Sequence, residues 1–233
     1  MQTNVFVIGV LALQGGFIEH VNLVRKAAES LTNKSVEIKA IEVRTVEQLD
    51  SCDALIIPGG ESTTISFVAA QSGLLEPLRD FVKVQKKPVW GTCAGLILLS
   101  NEANATKKGG QELIGGLGVR VHRNHFGRQI ESFQVPLDLP FLGPDAQFPG
   151  VFIRAPVVEE VLATEGVTVL AKLPGRVDKA QSGVSQATVK DNSGDIIAVR
   201  QGNVMGTSFH PELTTDARIH AWWLGEVIAA RSA

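Results

Sequence analysis

The sequence predicts an α/β domain with a central, mostly parallel sheet, helices on both of its faces and an antiparallel extension. Three observations point to this fold. Over the first hundred or so residues, apolar runs rich in Val and Ile alternate with stretches of helical periodicity, as in a parallel sheet buried on both faces. After Gly118, strand-like stretches follow one another without long helices between them, which favours antiparallel pairing. The chain then closes on an amphipathic segment.

Taken in order, Val5 to Ile8 opens a strand, and Phe17 to Leu31 carries Phe17, Val21, Val24, Ala28 and Leu31 at helical spacing. Val36 to Val43 alternates, Ala54 to Ile57 is a continuous apolar run, and Pro88 to Trp90 leads into Gly91 and an apolar helix from Leu96 to Ser100. The five glycines between Lys107 and Gly118 interrupt this pattern. The strands expected beyond them are Val119 to Val121, Gln129 to Val135, Val151 to Ile153, Val167 to Leu173, Ile196 to Arg200 and Val204 to Phe209. The polar stretch Gly175 to Gly194 reads as an inserted exposed loop or hairpin. Ala217 to Ala230, with Ile219, Trp222, Trp223 and Val227, reads as a closing helix. Neither a repeat nor a linker divides the chain, so residues 1–233 are expected to form one domain.

Composition narrows the function. A chain of 233 residues that is 44% hydrophobic can bury about 70% of its unfolded surface without staples. Its 22 basic and 24 acidic residues give a net charge of −2, with no like-charge run and no basic stripe, which argues against a nucleic-acid groove. Cys52 and Cys93 form neither a disulfide framework nor a zinc-ligand spacing, so a reducing compartment and no bound metal are expected. The apolar stretch Val5 to Leu13 has no preceding basic residue and no cleavage pattern after it, and nothing approaches a membrane span. A soluble, cytoplasmic protein without a membrane partner is expected.

The sharpest chemical signal is Val89-Trp90-Gly91-Thr92-Cys93-Ala94-Gly95-Leu96, a strand passing through G-x-C-x-G into a helix. A nucleophile on a tight strand-to-helix turn crowds the backbone, and glycines two residues before and after it relieve the crowding. The helix N-terminus then favours thiolate over thiol. A lone cysteine is ordinarily an inert core residue, and the flanking glycines are what weigh against that here. Ser208-Phe209-His210-Pro211-Glu212-Leu213 supplies a base and its orienting carboxylate, because in extended chain residues two apart share a face. H-P-E alone would be an ordinary loop pair. The strand Ala54 to Ile57 ends in Pro58-Gly59-Gly60-Glu61-Ser62-Thr63, where glycine amides could meet an oxyanion, although a glycine pair is also a common turn. Neither turn matches a nucleotide-binding motif.

These residues reach a known family. The opening "GVLALQGG" with Glu19-His20, then "PGGEST", "GTCAGL", "RNHFGRQ", "FIRAP" and "SFHPEL", in this order over nearly the whole chain, resembles the glutaminase subunit of pyridoxal 5′-phosphate synthase. That family is a branch of the class I glutamine amidotransferases, and the resemblance implies their three-layer α/β fold. It implies that Cys93 is the nucleophile toward L-glutamine, His210 the general base and acid, and Glu212 the residue that orients His210. It also implies an oxyanion site near Gly59, Gly60 and the amide of Ala94. Substrate contacts would come from Gly60, Glu61 and Ser62, from Arg123, and from Ile153 and Arg154. Arg suits a free α-carboxylate and Glu61 an α-ammonium; without the resemblance both arginines would pass as solvated surface charges. Gln14 falls where the family contacts its partner and the oxyanion region.

The implied reaction is hydrolysis of glutamine to glutamate and ammonia through a γ-glutamyl thioester, with no cofactor on this chain. The ammonia would pass to a separate synthase subunit that builds pyridoxal 5′-phosphate (vitamin B6). Many members are shorter over Ser100 to Leu117 and around Gly175 to Gly194, and His122 and His125 receive no role. A glutaminase for another synthase, a γ-glutamyl or peptide hydrolase on the same scaffold, and an inactive scaffolding subunit are the alternatives.

Overall fold

In the computed structural model, which describes residues 3–31, 35–104, 111–123, 132–144, 147–163, 165–173 and 195–232, the chain forms a twisted sheet with helices on both faces. In chain order the elements are β1 (Asn4–Leu11), α1 (Phe17–Glu29), β2 (Val36–Val43), α2 (Val46–Asp50), β3 (Ala54–Ile57), α3 (Ser62–Gln71) and α4 (Leu75–Lys83). There follow β4 (Val89–Thr92), α5 (Ala94–Leu99), β5 (Ser100–Asn104), β6 (Leu117–His122), β7 (Ser132–Asp138), β8 (Gln147–Ile153) and β9 (Val157–Val161). Last come β10 (Val167–Leu173), β11 (Asp195–Gln201), β12 (Val204–Thr207), a 3-10 turn at Pro211–Leu213, and α6 (Arg218–Ser232).

The main sheet runs β2-β1-β3-β4-β12-β11-β9-β6-β5, with β10 on β11, and β7 pairs with β8 in a separate ribbon. Every residue of β3, β4 and β12 is buried, because helices cover both faces of these short apolar strands. Alternate side chains feed two cores. Ile8, Val10, Ile56, Trp90 and Met205 pack with Val21 and Val24 of α1 and Ile219 and Trp223 of α6. Leu55, Ile57, Val89 and Val204 pack on the opposite face with Ile65 of α3, Leu78 and Phe81 of α4, and Leu96 of α5. Each such large side chain contributes about 1.5–3 kcal/mol on burial.

The antiparallel extension is present in β11, β9 and β6, but the strands are not all in it. β12 pairs antiparallel with β11 and parallel with β4, Thr207 opposite Thr92. The chain thus returns from its far end to complete the parallel sheet. β5 and β9 carry too many polar residues to stand out in the sequence: β5 is Ser-Asn-Glu-Ala-Asn and pairs parallel with β6. Gly175 to Gly194 lies outside the described residues, as do Gln129 to Glu131 of one expected strand. No helix among the described residues is long and apolar enough to cross a membrane.

This topology decides where chemistry can occur. β1, β3, β4 and β12 are neighbours and parallel, so their carboxyl ends share one edge. The loops leaving them carry Gln14, Gly59-Gly60, Cys93 and His210, the arrangement by which open α/β sheets gather a site.

Candidate active site

Cys93 is the single residue between β4 and α5. Its backbone sits at φ 46°, ψ −98°, a conformation that costs an L-residue on the order of 1–3 kcal/mol. Neighbours impose it: the Cys93 N–H donates to the Thr207 carbonyl at 2.8 Å, and the Cys93 carbonyl accepts from Ile97 N–H at 3.3 Å. The flanking glycines are steric necessities. A Cβ on Gly95 would lie 2.1 Å from the Ile57 carbonyl oxygen, and one on Gly91 2.4 Å from the Gly95 carbonyl carbon. Ala94 opens α5, where first-turn amides have no intrahelical acceptor and stay available to a ligand oxygen.

Beyond β12, Ser208 N–H donates to the Ile197 carbonyl and His210 N–H to the Val151 carbonyl, both at 2.8 Å. His210 Nδ1 is 2.7 Å from Glu212 Oε1, so with Nδ1–H donating to the carboxylate the imidazole presents Nε2 toward Cys93. The pairing is the expected one, but a turn makes it: Pro211 fixes φ and starts the 3-10 turn instead of continuing an extended strand. Burial opposes charge on His210, yet Cys93 first and Glu212 second outweigh it and hold the imidazole's pKa up to about 10. Glu212 is also buried, which alone would raise its pKa; His20 and then His210 hold it well below the usual carboxylate range.

A pH dependence of stability follows. The pKa of His210 is raised above its ordinary 6.5, so its proton contributes stability fully below about pH 6.5, and the contribution is lost as pH rises toward about 10. Urea unfolding across this window should show stability falling with pH. Cys93→Ala should flatten the fall, since Cys93 is the larger of the two partners that raise His210. An identical slope in both proteins would refute the coupling.

The Gly59-Gly60 turn packs between these groups and the first loop. The Gly59 carbonyl accepts from Gly16 N–H at 3.0 Å, and Gln14 Oε1 accepts from Glu61 N–H at 2.7 Å. The Glu61 carboxylate caps α3, accepting from the Thr63 and Thr64 amides at 3.2 and 2.6 Å, while its Oε1 faces Arg123 at 3.6 Å. Arg123 also donates to the Thr63 hydroxyl at 3.3 Å. The Glu61 and Arg123 singled out in the sequence are therefore together at the start of α3. Ser62 is buried and donates to Gln111 Oε1 at 3.0 Å, so its hydroxyl is engaged within the protein. Ile153 ends β8, two residues past the carbonyl that holds His210, and Arg154 follows at φ 46°, a second strained non-glycine beside this edge.

Two histidines to which the sequence analysis gave no role, His20 and His220, lie behind this line. His20, fully buried on α1, has Nε2 3.3 Å from Glu212 Oε2 and 3.1 Å from Thr92 Oγ1, and its Nδ1 is 2.9 Å from His220 Nε2. Both rings pack edge-on against Trp90, whose indole N–H donates to Thr207 Oγ1 at 3.1 Å. The signal was the helical pattern itself: His20 falls on the apolar stripe of Phe17, Val21 and Val24, where a polar side chain must have a buried partner.

A buried thiol on a strained elbow, an imidazole beside it and a carboxylate behind the imidazole are the parts of a nucleophile, its base and an orienting group. A family profile described as the SNO glutamine amidotransferase family matches residues 10–229. The chain is 45% identical over 229 residues to the probable pyridoxal 5′-phosphate synthase subunit PDX2 of Arabidopsis thaliana, covering 93% of this chain and 84% of the relative. It is 46% identical over 234 residues to the probable pyridoxal 5′-phosphate synthase subunit SNO3 of Saccharomyces cerevisiae, covering 95% and 96%. A crystal structure of a glutamine amidotransferase, 40% identical, superposes with a TM-score of 0.74 over 94% of this chain and 98% of that one. With the profile spanning almost its whole length, this chain belongs to the SNO glutamine amidotransferase family.

Proposed function

We propose that this chain is the glutaminase of a pyridoxal 5′-phosphate synthase, acting through Cys93, His210 and Glu212. The observation that carries this reading is the buried line from the elbow thiol through His210 to Glu212. Cys93 gives its thiol proton to His210 and attacks the carboxamide carbon of L-glutamine, and His210, its Nδ1–H held by Glu212, passes that proton to the departing ammonia as the C–N bond breaks. His210 then takes a proton from the water that cleaves the γ-glutamyl thioester, returning the thiol and releasing glutamate. The Ala94 amide and the Gly59-Gly60 turn lie nearby to receive the oxyanion. Arg123 and Arg154 hold the α-carboxylate and Glu61 the α-ammonium, with Gly60, Ser62 and Ile153 shaping the pocket.

The chain works as one domain, since β1 and β12, from opposite ends of the sequence, belong to one sheet. Its two free thiols suit the cytoplasm. The synthase subunit that receives ammonia also switches hydrolysis on. The latch between Gln14 and the Glu61 amide joins the first loop to the Gly59-Gly60 turn, so a partner seated on that loop reaches the oxyanion site through it. Ammonia release from L-glutamine should be low for the chain alone and rise when the synthase subunit is added. Equal rates would overturn the switch, and Gln14→Ala with undiminished stimulation would remove Gln14 from it.

A further inference from the structure

We propose that His20 is a positioning residue for the glutaminase, donating from Nε2–H to the second oxygen of Glu212, with His220 fixing the His20 tautomer by donating to its Nδ1. The proposal rests on the glutaminase reading and extends the thiol–imidazole–carboxylate line by two buried imidazoles. A carboxylate that orients a base has two oxygens to satisfy. Glu212 Oε1 takes His210 at 2.7 Å, whereas Oε2 is buried with no hydrogen bond of ordinary geometry among the described residues. The ring nitrogen beside Oε2 is His20 Nε2, at 3.3 Å.

That approach fixes the protons. A lone pair on Nε2 would face the carboxylate with repulsion, so Nε2 carries a proton, shared between Oε2 and Thr92 Oγ1. On this assignment Nδ1 of His20 is the acceptor, and the donor at 2.9 Å is His220 Nε2–H. The His220 Nδ1 is buried without a hydrogen-bond partner among the described residues, and burial, then His20, hold the pKa of that imidazole well below its ordinary value, so His220 stays neutral. The donations run from His220 to His20 to Glu212, and from His210 to the other oxygen of Glu212.

The carboxylate is thereby clamped from both sides, and it stays ionised in a buried place. The titratable groups facing His20 are Glu212 and, behind it, His210 at the 211–213 turn, and His220 on α6; Cys93 follows beyond His210. The other charges near that turn are engaged with one another or with backbone: Asp216 with Arg218, and Lys26 of α1 with the Thr215 carbonyl.

The test compares His20→Met, which fills the space without a donor, with His20→Gln, whose amide nitrogen can reach where Nε2 stood. Both are assayed for ammonia release in complex with the synthase subunit. His20→Met should lower kcat by about ten- to a hundredfold, the cost of one hydrogen bond to a charged group, with KM little changed. It should also move the acid limb of the kcat/KM profile to higher pH, because an unclamped Glu212 protonates more easily. His20→Gln should recover most of the rate and return the limb. A purely structural histidine would lower the rate without moving the limb, and His20→Met with wild-type kcat and profile would overturn the proposal, as would equal losses in both variants. Should His20→Met fail to fold, nitrogen-15 shifts of the histidine rings in the wild-type chain decide: Nε2–H on both His20 and His220 with no proton on His20 Nδ1 supports the clamp, and a proton on His20 Nδ1 refutes it. That measurement needs no turnover. A wild-type complex that releases no ammonia would sink the glutaminase reading alone.

Discussion

Replacing Cys93 by Ala or Ser should abolish ammonia release from glutamine, a loss of about four to six orders of magnitude in kcat, as for removal of other covalent nucleophiles. The fold should survive. The strained turn is held by Gly91, Gly95 and the bond from the Cys93 amide to Thr207, none of which the substitution touches. Ala and Ser accept the φ of 46° at a cost similar to that for Cys. Cys52 is the control. It is 1% exposed, its thiol donates to the Gln48 carbonyl at 3.1 Å, and burial pushes its pKa up to about 11, so it stays an unreactive thiol. A glutamine-like electrophile should therefore label Cys93 and leave Cys52 untouched, and Cys52→Ser should keep activity. Ammonia release by Cys93→Ala at the normal rate would take Cys93 out of the mechanism.

The parallel half of the fold and the elbow could be read from the sequence because both are local. A four-residue apolar run closed by Pro-Gly-Gly, such as Ala54 to Ile57, reads as a strand buried on both faces, and G-x-C-x-G states its own steric reason. The H-P-E pair was legible for the same cause, although Pro211 turns the chain where an extended segment was expected. What could not be read depends on partners distant in sequence. The direction of β12 is set by β4, more than a hundred residues earlier, while β5 takes its place by pairing with β6, and β9 by pairing with β6 and β11. His20 meets Glu212 and His220 across about 200 residues, so its partners have no signature near it. The ion pair of Glu61 with Arg123 is equally nonlocal; the family resemblance implied both as substrate contacts, and nothing in the sequence shows that they touch each other.

Gly59→Ala should be the most damaging substitution outside the Cys93–His210–Glu212 line. The sequence offered Gly59 as a turn residue with a useful amide, but the structure adds a reason that concerns its missing side chain. A Cβ there would lie 2.4 Å from His210 Cε1, 2.6 Å from His210 Nδ1 and 3.0 Å from Glu212 Oε1. Ordinary carbon–carbon contact is about 3.5 Å, so the imidazole would have to retreat by about 1 Å. It cannot do so without stretching the 2.7 Å bond to Glu212 or turning Nε2 away from Cys93. Retreat of the loop is no easier, since the Gly59 carbonyl is held by Gly16 N–H. A displacement of this size at a reacting group costs about a hundredfold, so kcat/KM should fall by roughly that factor or more. Gly225→Ala, on a helix position with nothing within 4 Å, should leave the rate unchanged and shows that losing a glycine is not the cause. The overpacking should also cost about 1–3 kcal/mol of stability. Most of that cost should vanish when Gly59→Ala is made in a His210→Ala background, because the ring it strikes is gone. A stability loss equal in both backgrounds, or a Gly59→Ala enzyme with wild-type kcat/KM, would show that the turn and the imidazole move independently.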